Sequence, residues 1–525
     1  MFSKLTDKAV LAATGMMMAA VAATPAMAQD WWKAETDKFI VYSSGEGEDA
    51  RELAENLERL DDALRFMRNL GKEAPLAAER KLVIFQVGDI EDMGRLAGRR
   101  GVGGFFSARE GQSVAFTPTE YGRDLRGRGA RLERKRATVE EVMFHEYTHY
   151  FMFHHGAAAY PAWYREGFAE LFGTIDLKED GFVVGRPPAR GGLLQTSYDI
   201  SRMFDPPEKM RYADYIQSYG YGWLLTTYLS FTPERQGQLA DYLRRLNAGE
   251  ESIEAAKAAF GDLDQLKREI DRFSGSRAPL TEVTFENYEP ATATVTPLGP
   301  DEEAVMELFI ESQAGWDERR ADFAAGRMRE ILGQYPGSVP VMNALVEAEF
   351  DGDNLDRAEA VAKQILEQDP DHLRANVFLA RIAAKRAEED ASHWAEARRY
   401  YGRASQIDPR NAEVMLGYYL SYYFSDEPMT ETALIALEQA YEFAPFSPIV
   451  RRTLAHVLLT ENRPDAARTV LLPLASDPHG GKRTEKYHEL LAQIDEGELA
   501  PVIEELRPLT RAEAEAKAER ERRGG

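Results

Sequence analysis

His145, Glu146 and His149 stand in the string HEYTH, and Glu166 follows seventeen residues after His149 in EGFAE. On a helix, histidines four residues apart share a face about 40° wide, so both imidazoles can reach one cation at roughly 2.0–2.1 Å. Glu146 sits beside that face, where a carboxylate can take a proton from a metal-activated water. The chemistry these residues predict is zinc-dependent hydrolysis, with one Zn2+ per chain. Glu166 and Glu170 lie one above the other at i and i+4 on a second predicted helix, so two carboxylates face the two histidines. His155 also falls at a ligand-like spacing, six residues after His149. A third histidine at that spacing needs a glycine where this chain has Met152, because the backbone must break out of the helix to bring it round. With Met152 the helix runs on and His155 points about 240° away. Glu166 is therefore the expected third ligand, and His154 and His155 are expected at the helix end, facing solvent or the C-terminal dipole.

The flanking residues predict the elements this site requires. Thr138 and Glu141 form a capping box at the start of the metal helix, and Gly156 follows its last periodic residue as a stop. Pro161 opens the second helix and Gly173 ends it. Upstream, FIVYSS (39–44) alternates like a strand, 49–70 has helical spacing, KLVIFQVG (81–88) reads as a buried strand, and 105–116 with its central EGQS reads as a hairpin. Together they predict a mixed sheet ahead of the metal helix. Downstream, 213–231 predicts a helix, and FGDLDQLKREIDRFSG an amphipathic helix closing the domain.

The two motifs resemble those of the gluzincins, the clan of thermolysin-like proteases and aminopeptidase N, and above all its bacterial peptidase MA-like members. The resemblance spans approximately 31–276 and is carried by HEYTH and EGFAE. It implies an α+β, zincin-type, thermolysin-like fold in which Glu166 completes the zinc site and Glu170 orients the first zinc histidine. It also implies an edge strand upstream of the metal helix that pairs with substrate backbone, placed at 103–106. The segment 213–231 is similar to the YxxSYxxxxYL stretch of peptidase MA-like proteins, which makes Tyr215 and Tyr219 candidates for the donor to the oxyanion. A core aromatic stripe would carry the same pattern. The aminopeptidase N string GxMEN is absent, so amino-terminal trimming is not implied.

The first 28 residues have Lys4 and Lys8, a short apolar run and an Ala26-Met27-Ala28 cleavage site. They predict a cleaved secretory leader and a periplasmic or secreted protein. No other segment predicts a membrane span. The chain has no cysteine, which excludes disulfides and thiol catalysis. A formal net charge of −24 argues against nucleic acid as a partner, since phosphate binding needs a basic face. Seven basic residues against two acidic ones between Arg123 and Arg136 are a local exception, read as a solvated loop.

Alanines 324, 358, 397, 433 and 466 each stand twelve residues before prolines 336, 370, 409, 445 and 478, at periods of 34, 39, 36 and 33. Such periods predict stacked helical hairpins, the alanine permitting close packing and the proline ending the second helix. The best copies, LDRAEAVAKQILEQDP and WAEARRYYGRASQIDP, resemble tetratricopeptide (TPR) repeats. The expected organisation is a leader at 1–28, a metallopeptidase domain at 29–280, an extended linker at 281–300, an all-α TPR solenoid at 301–497 and a charged tail at 498–525. The expected activity is peptide-bond hydrolysis with Glu146 as general base, the repeats recruiting a protein substrate or partner. The rival expectation is an envelope scaffold that works through its repeats and keeps an inactive or structural zincin domain.

Overall fold

The computed structural model describes residues 31–100, 102–119, 138–188, 198–206, 212–275, 280–476 and 482–524. The expected leader and the basic run at 123–136 lie outside these residues.

Strands β1 (Trp32–Glu35) and β2 (Phe39–Ser43) lead into helix α1 (Gly47–Met67), strand β3 (Leu82–Gln86) and the short helix α2 (Ile90–Leu96). Strands β4 (Phe105–Ser107) and β5 (Val114–Thr117) form the expected hairpin. β2, β3 and β5 run parallel, and β4 is an antiparallel edge. Period-two alternation assigns the faces. Phe39, Val41, Leu82, Ile84 and Ala115 join one core with α1, whereas Ile40, Val83, Phe85, Val114 and Phe116 join a second core on the opposite face.

The helices that carry the two motifs follow, α3 (Val139–His154) and α4 (Ala162–Gly173). Then come β6 (Asp176–Lys178), β7 (Gly181–Val184), α5 (Ser201–Phe204), α6 (Tyr212–Phe231), α7 (Gln238–Asn247), α8 (Ser252–Phe260) and α9 (Leu263–Gly275). The stretch expected as a linker is extended but not free. It forms β8 (Thr281–Thr284), the third strand of a sheet with β6 and β7, and β9 (Thr294–Pro297), which pairs with β1 in the main sheet. Each of these strands pairs on one side, and Phe285 packs among Phe66, Phe182 and Tyr288.

The solenoid comprises α10 (Pro300–Ala314), α11 (Glu318–Gln334), α12 (Val339–Asp351), α13 (Leu355–Gln368), α14 (Leu373–Ala387), α15 (Trp394–Ile407), α16 (Ala412–Tyr423), α17 (Glu431–Phe443), α18 (Pro448–Thr460), α19 (Pro464–Ala475) and α20 (Lys482–Asp495). Ala324, Ala358, Ala397 and Ala433 are fully buried, and helices end just before Pro336, Pro370, Pro409 and Pro445. In the last repeat the buried alanine is Ala467, one residue later than its period predicts, and Pro478 lies outside the described residues. The expected charged tail forms α21 (Leu499–Leu506) and α22 (Arg511–Gly524). Val502 and Leu506 of α21 are buried against the last hairpins, so this helix caps the solenoid's apolar end.

The solenoid wraps the first domain. Met306 and Ile310 of α10 are buried in the sheet's second core. The tip of the β4–β5 hairpin sits against the inner helices. Arg109 donates from Nη1 and Nη2 to the side-chain and backbone oxygens of Gln313, both at 2.6 Å. The Glu413 amide donates to the Glu110 carbonyl at 3.2 Å, and the Ser447 hydroxyl to the Glu110 carboxylate at 2.5 Å.

Candidate metal centre

The metal helix α3 begins where its capping box predicts. The Glu141 amide donates to Thr138 Oγ1 at 3.0 Å and the Thr138 amide to Glu141 Oε2 at 2.7 Å. Its back face is fixed to α1, where Tyr147 donates its hydroxyl to buried Asp61 at 2.7 Å. Burial would raise the Asp61 pKa, but Lys38 and Arg65 outweigh it, so that carboxylate is held below its usual range. The helix ends at His154. A side chain at Gly156 would press on the Met152 carbonyl and the Tyr160 hydroxyl, so the predicted stop reflects close approach.

α4 faces α3 closely. A methyl group at Gly167 would collide with the Gly222 carbonyl of α6, and one at Gly222 with the Trp163 carbonyl of α4. The glycine of EGFAE is thus the point at which α6 presses on α4 and sets the depth of its neighbours Glu166 and Glu170.

Four predicted residues converge there. His149 Nε2 lies 3.2 Å from His145 Nε2, and Glu166 Oε2 lies 3.4 Å from His149 Nε2 and 3.6 Å from His145 Nε2. A tetrahedral ion with bonds of roughly 2.0–2.1 Å holds its donors about 3.3–3.4 Å apart, so these three atoms already outline one face of a zinc coordination shell. Two imidazoles and a carboxylate are the donor set of a hydrolytic zinc site with an open fourth position, and these residues fit the metal. Glu170 Oε1 stands 3.9 Å from Nδ1, the outward nitrogen of His145, on the side from which a carboxylate orients a metal-binding ring. Burial pushes His145 toward its neutral form, but Glu166, Glu170 and Glu146 outweigh it and raise its pKa.

His155 takes no part. Its Nε2 lies 3.1 Å from Arg65 Nη2, on the side facing α1. His154 and His155 stand at the end of α3, as expected, but His154 is covered rather than turned to solvent. It stacks between Tyr150, at 5.1 Å, and Phe446 of the solenoid, at 5.6 Å. Burial depresses both histidines, His154 to about 4 and His155 to about 3, so both are neutral near pH 7. Tyr219 is half-buried on α6, and the Tyr215 side chain lies outside the described residues.

Glu146 and His149 open into a cavity of about 330 Å3. β4 forms one wall, with Phe106 stacked on Tyr150 at 5.5 Å, so the edge expected at 103–106 begins two residues later but borders the site. The opposite wall is solenoid, with Phe446, Arg451, Leu474 and Tyr487. Spacing within the repeats carries no trace of these residues, because their role arises from contact with α3, some 300 positions earlier in the chain.

Residues 316–382 match the family model for the tetratricopeptide repeat. The C-terminal part is a TPR solenoid. Among solved structures the chain is similar to a thermophilic TPR protein of Thermus thermophilus, at 20% identity and a TM-score of 0.30, over 36% of this chain and 97% of that one. No curated protein matches. Among the described residues no helix is long and apolar enough to cross a membrane.

Proposed function

We propose that the chain is an exported zinc-dependent peptidase of gluzincin type whose TPR solenoid is built onto its cleft. The observation that carries this reading is the convergence of His145 Nε2, His149 Nε2 and Glu166 Oε2 within 3.2–3.6 Å, beside a cavity lined by Glu146. His145, His149 and Glu166 would hold a zinc ion, whose chemistry there would be to polarise a scissile carbonyl and acidify a water. Glu146 accepts the proton of that water and delivers it to the leaving amine. Glu170 fixes the ring of His145, and the edge of β4 turned away from β5 offers backbone donors and acceptors to an extended peptide. α6 carries the expected oxyanion donors, Tyr215 and Tyr219. Replacing Glu146 by glutamine keeps side-chain size and all three ligands. Zinc content and Tm of Glu146→Gln should match wild type while peptide hydrolysis falls by at least 100-fold, and an equally active variant refutes the assignment.

The TPR match favours a second reading, a protein-interaction scaffold in which the metal is structural, because such repeats commonly mediate protein–protein contacts. In that case Glu146→Gln restores every phenotype of a deletion strain, since a structural zinc site has no use for a neighbouring base.

A further inference from the structure

The cavity beside Glu146 and His149 is apolar along Phe106, Phe153, Phe446 and Leu474, yet among the described residues its lining also includes the guanidinium groups of Arg451 and Arg483, both from the solenoid. Arg451 is 2% exposed. It donates to backbone carbonyls, those of Val470 at 2.7 Å, Ala157 at 3.2 Å and Pro445. Carbonyls orient a guanidinium but carry no formal charge to offset it. Burial lowers its pKa, and among the described residues no carboxylate is among the groups that influence it. A buried cation that faces a cavity without a counter-charge favours an anionic occupant. Arg483, on the exposed first turn of α20, adds positive charge at the same cavity.

We propose that this cavity binds the carboxy-terminal residue of a peptide, an apolar side chain lying among Phe106, Phe153, Phe446 and Leu474 and its free α-carboxylate held by the solenoid's arginines. The inference rests on the peptidase reading and narrows it to removal of apolar C-terminal residues. A volume of about 330 Å3 is at the small end for ligand pockets and suits one large residue better than a run of several. In the reaction, water oxygen bonds to the scissile carbonyl carbon, the C–N bond breaks, and Glu146 carries the water proton to the leaving amine. The products are the shortened peptide acid and one free amino acid. The solenoid then determines specificity.

Binding can be measured separately from turnover with the full-length Glu146→Gln protein. The ligands are acetyl-Ala-Ala-Phe as free acid, the same peptide as C-terminal amide, and acetyl-Ala-Asp-Phe amide, titrated calorimetrically with zinc present and after chelation. The free acid should bind at least 10-fold tighter than either amide in both conditions. Arg483→Gln should shrink that preference about threefold or more, and Leu474→Trp, which fills the cavity, should weaken all three ligands. Equal binding of acid and amide overturns the proposal, as does a preference that vanishes on chelation, because the metal then captures the carboxylate. Equivalent binding of the Asp-containing amide shows side-chain rather than C-terminal recognition and also overturns it. So does an unchanged preference in Arg483→Gln. If the preference holds while wild type releases no phenylalanine, the pocket stands and the peptidase reading fails. If wild type cleaves acid and amide at one rate, the peptidase reading stands and the pocket assignment fails.

Discussion

At the residue scale the site depends on how few atoms it needs. His145, His149 and Glu166 each present one donor atom to a common point, so His145→Ala and His149→Ala should abolish zinc binding, and Glu166→Ala should weaken it, by metal analysis of purified protein. Glu170→Gln should leave the fold intact and cost about 10- to 100-fold in zinc affinity or activity, because it loses only the ring-orienting charge. Full occupancy in Glu166→Ala would assign the third ligand elsewhere. His154 and His155 supply a pH prediction. Both are neutral in the fold, with pKa values depressed to about 4 and about 3, whereas an unfolded histidine titrates near pH ~6.5. Between those values the unfolded chain binds more protons. Stability is therefore full above the unfolded pKa and falls as pH drops through about 6.5 toward 4, by about 2 kcal/mol per histidine at pH 5. Tm compared at pH 7 and pH 5 should show the fall, and His154→Phe, which keeps the aromatic stack between Tyr150 and Phe446, should reduce it. The convergence of His145, His149 and Glu166 was legible in sequence because a helix turns spacing into direction. The surroundings of His154 were not, since nothing within the helix reveals that Phe446 will cover it.

At the element scale, periodic patterns and caps placed α3, α4 and the strands β2, β3, β4 and β5 within a few residues, but not β1 or β9 of the same sheet. They failed where tertiary pairing decides the outcome. The stretch 281–300 has the prolines and threonines of a linker, and only the partners β7 and β1 turn it into strands. The glycine of EGFAE is legible as part of a motif, but its physical reason is the crossing of α4 and α6, a long-range contact. Gly167→Ala should therefore destabilise by about 1–3 kcal/mol, since the added methyl meets backbone that cannot yield. Gly402→Ala is its control. Nothing approaches the added carbon at that position within helix α15, and removing a flexible residue from a helix should stabilise by roughly 0.5–1 kcal/mol. Chemical denaturation of both variants should give opposite signs. Destabilisation of equal size in both would mean that the α4–α6 approach sets nothing special.

At the scale of the whole molecule, two domains joined by a loose tether would melt separately and yield a protected catalytic fragment after cleavage near residue 290. The fold predicts otherwise. Such a cut severs β9 from its own strand pair with β1 and removes α10, whose Met306 and Ile310 cover Val83, Phe85 and Phe116 on the sheet's second face. Exposing side chains of this size costs about 1.5–3 kcal/mol each, comparable in sum with the entire stability of a typical domain. The hairpin tip adds contacts that a truncated chain also loses, Arg109 with Gln313 and Glu110 with Glu413 and Ser447. A fragment ending near residue 290 should therefore be unfolded or aggregated, and full-length protein should resist early cleavage across 281–300. Calorimetry should show the first domain and the N-terminal repeats unfolding in one transition, and Arg109→Ala, which loosens the hairpin tip, should lower its midpoint. Two separate transitions, or a stable fragment ending near residue 290 that keeps its zinc, would show that the solenoid is an appendage. In that case the cavity wall formed by Phe446, Arg451 and Leu474 could not be a fixed part of the site.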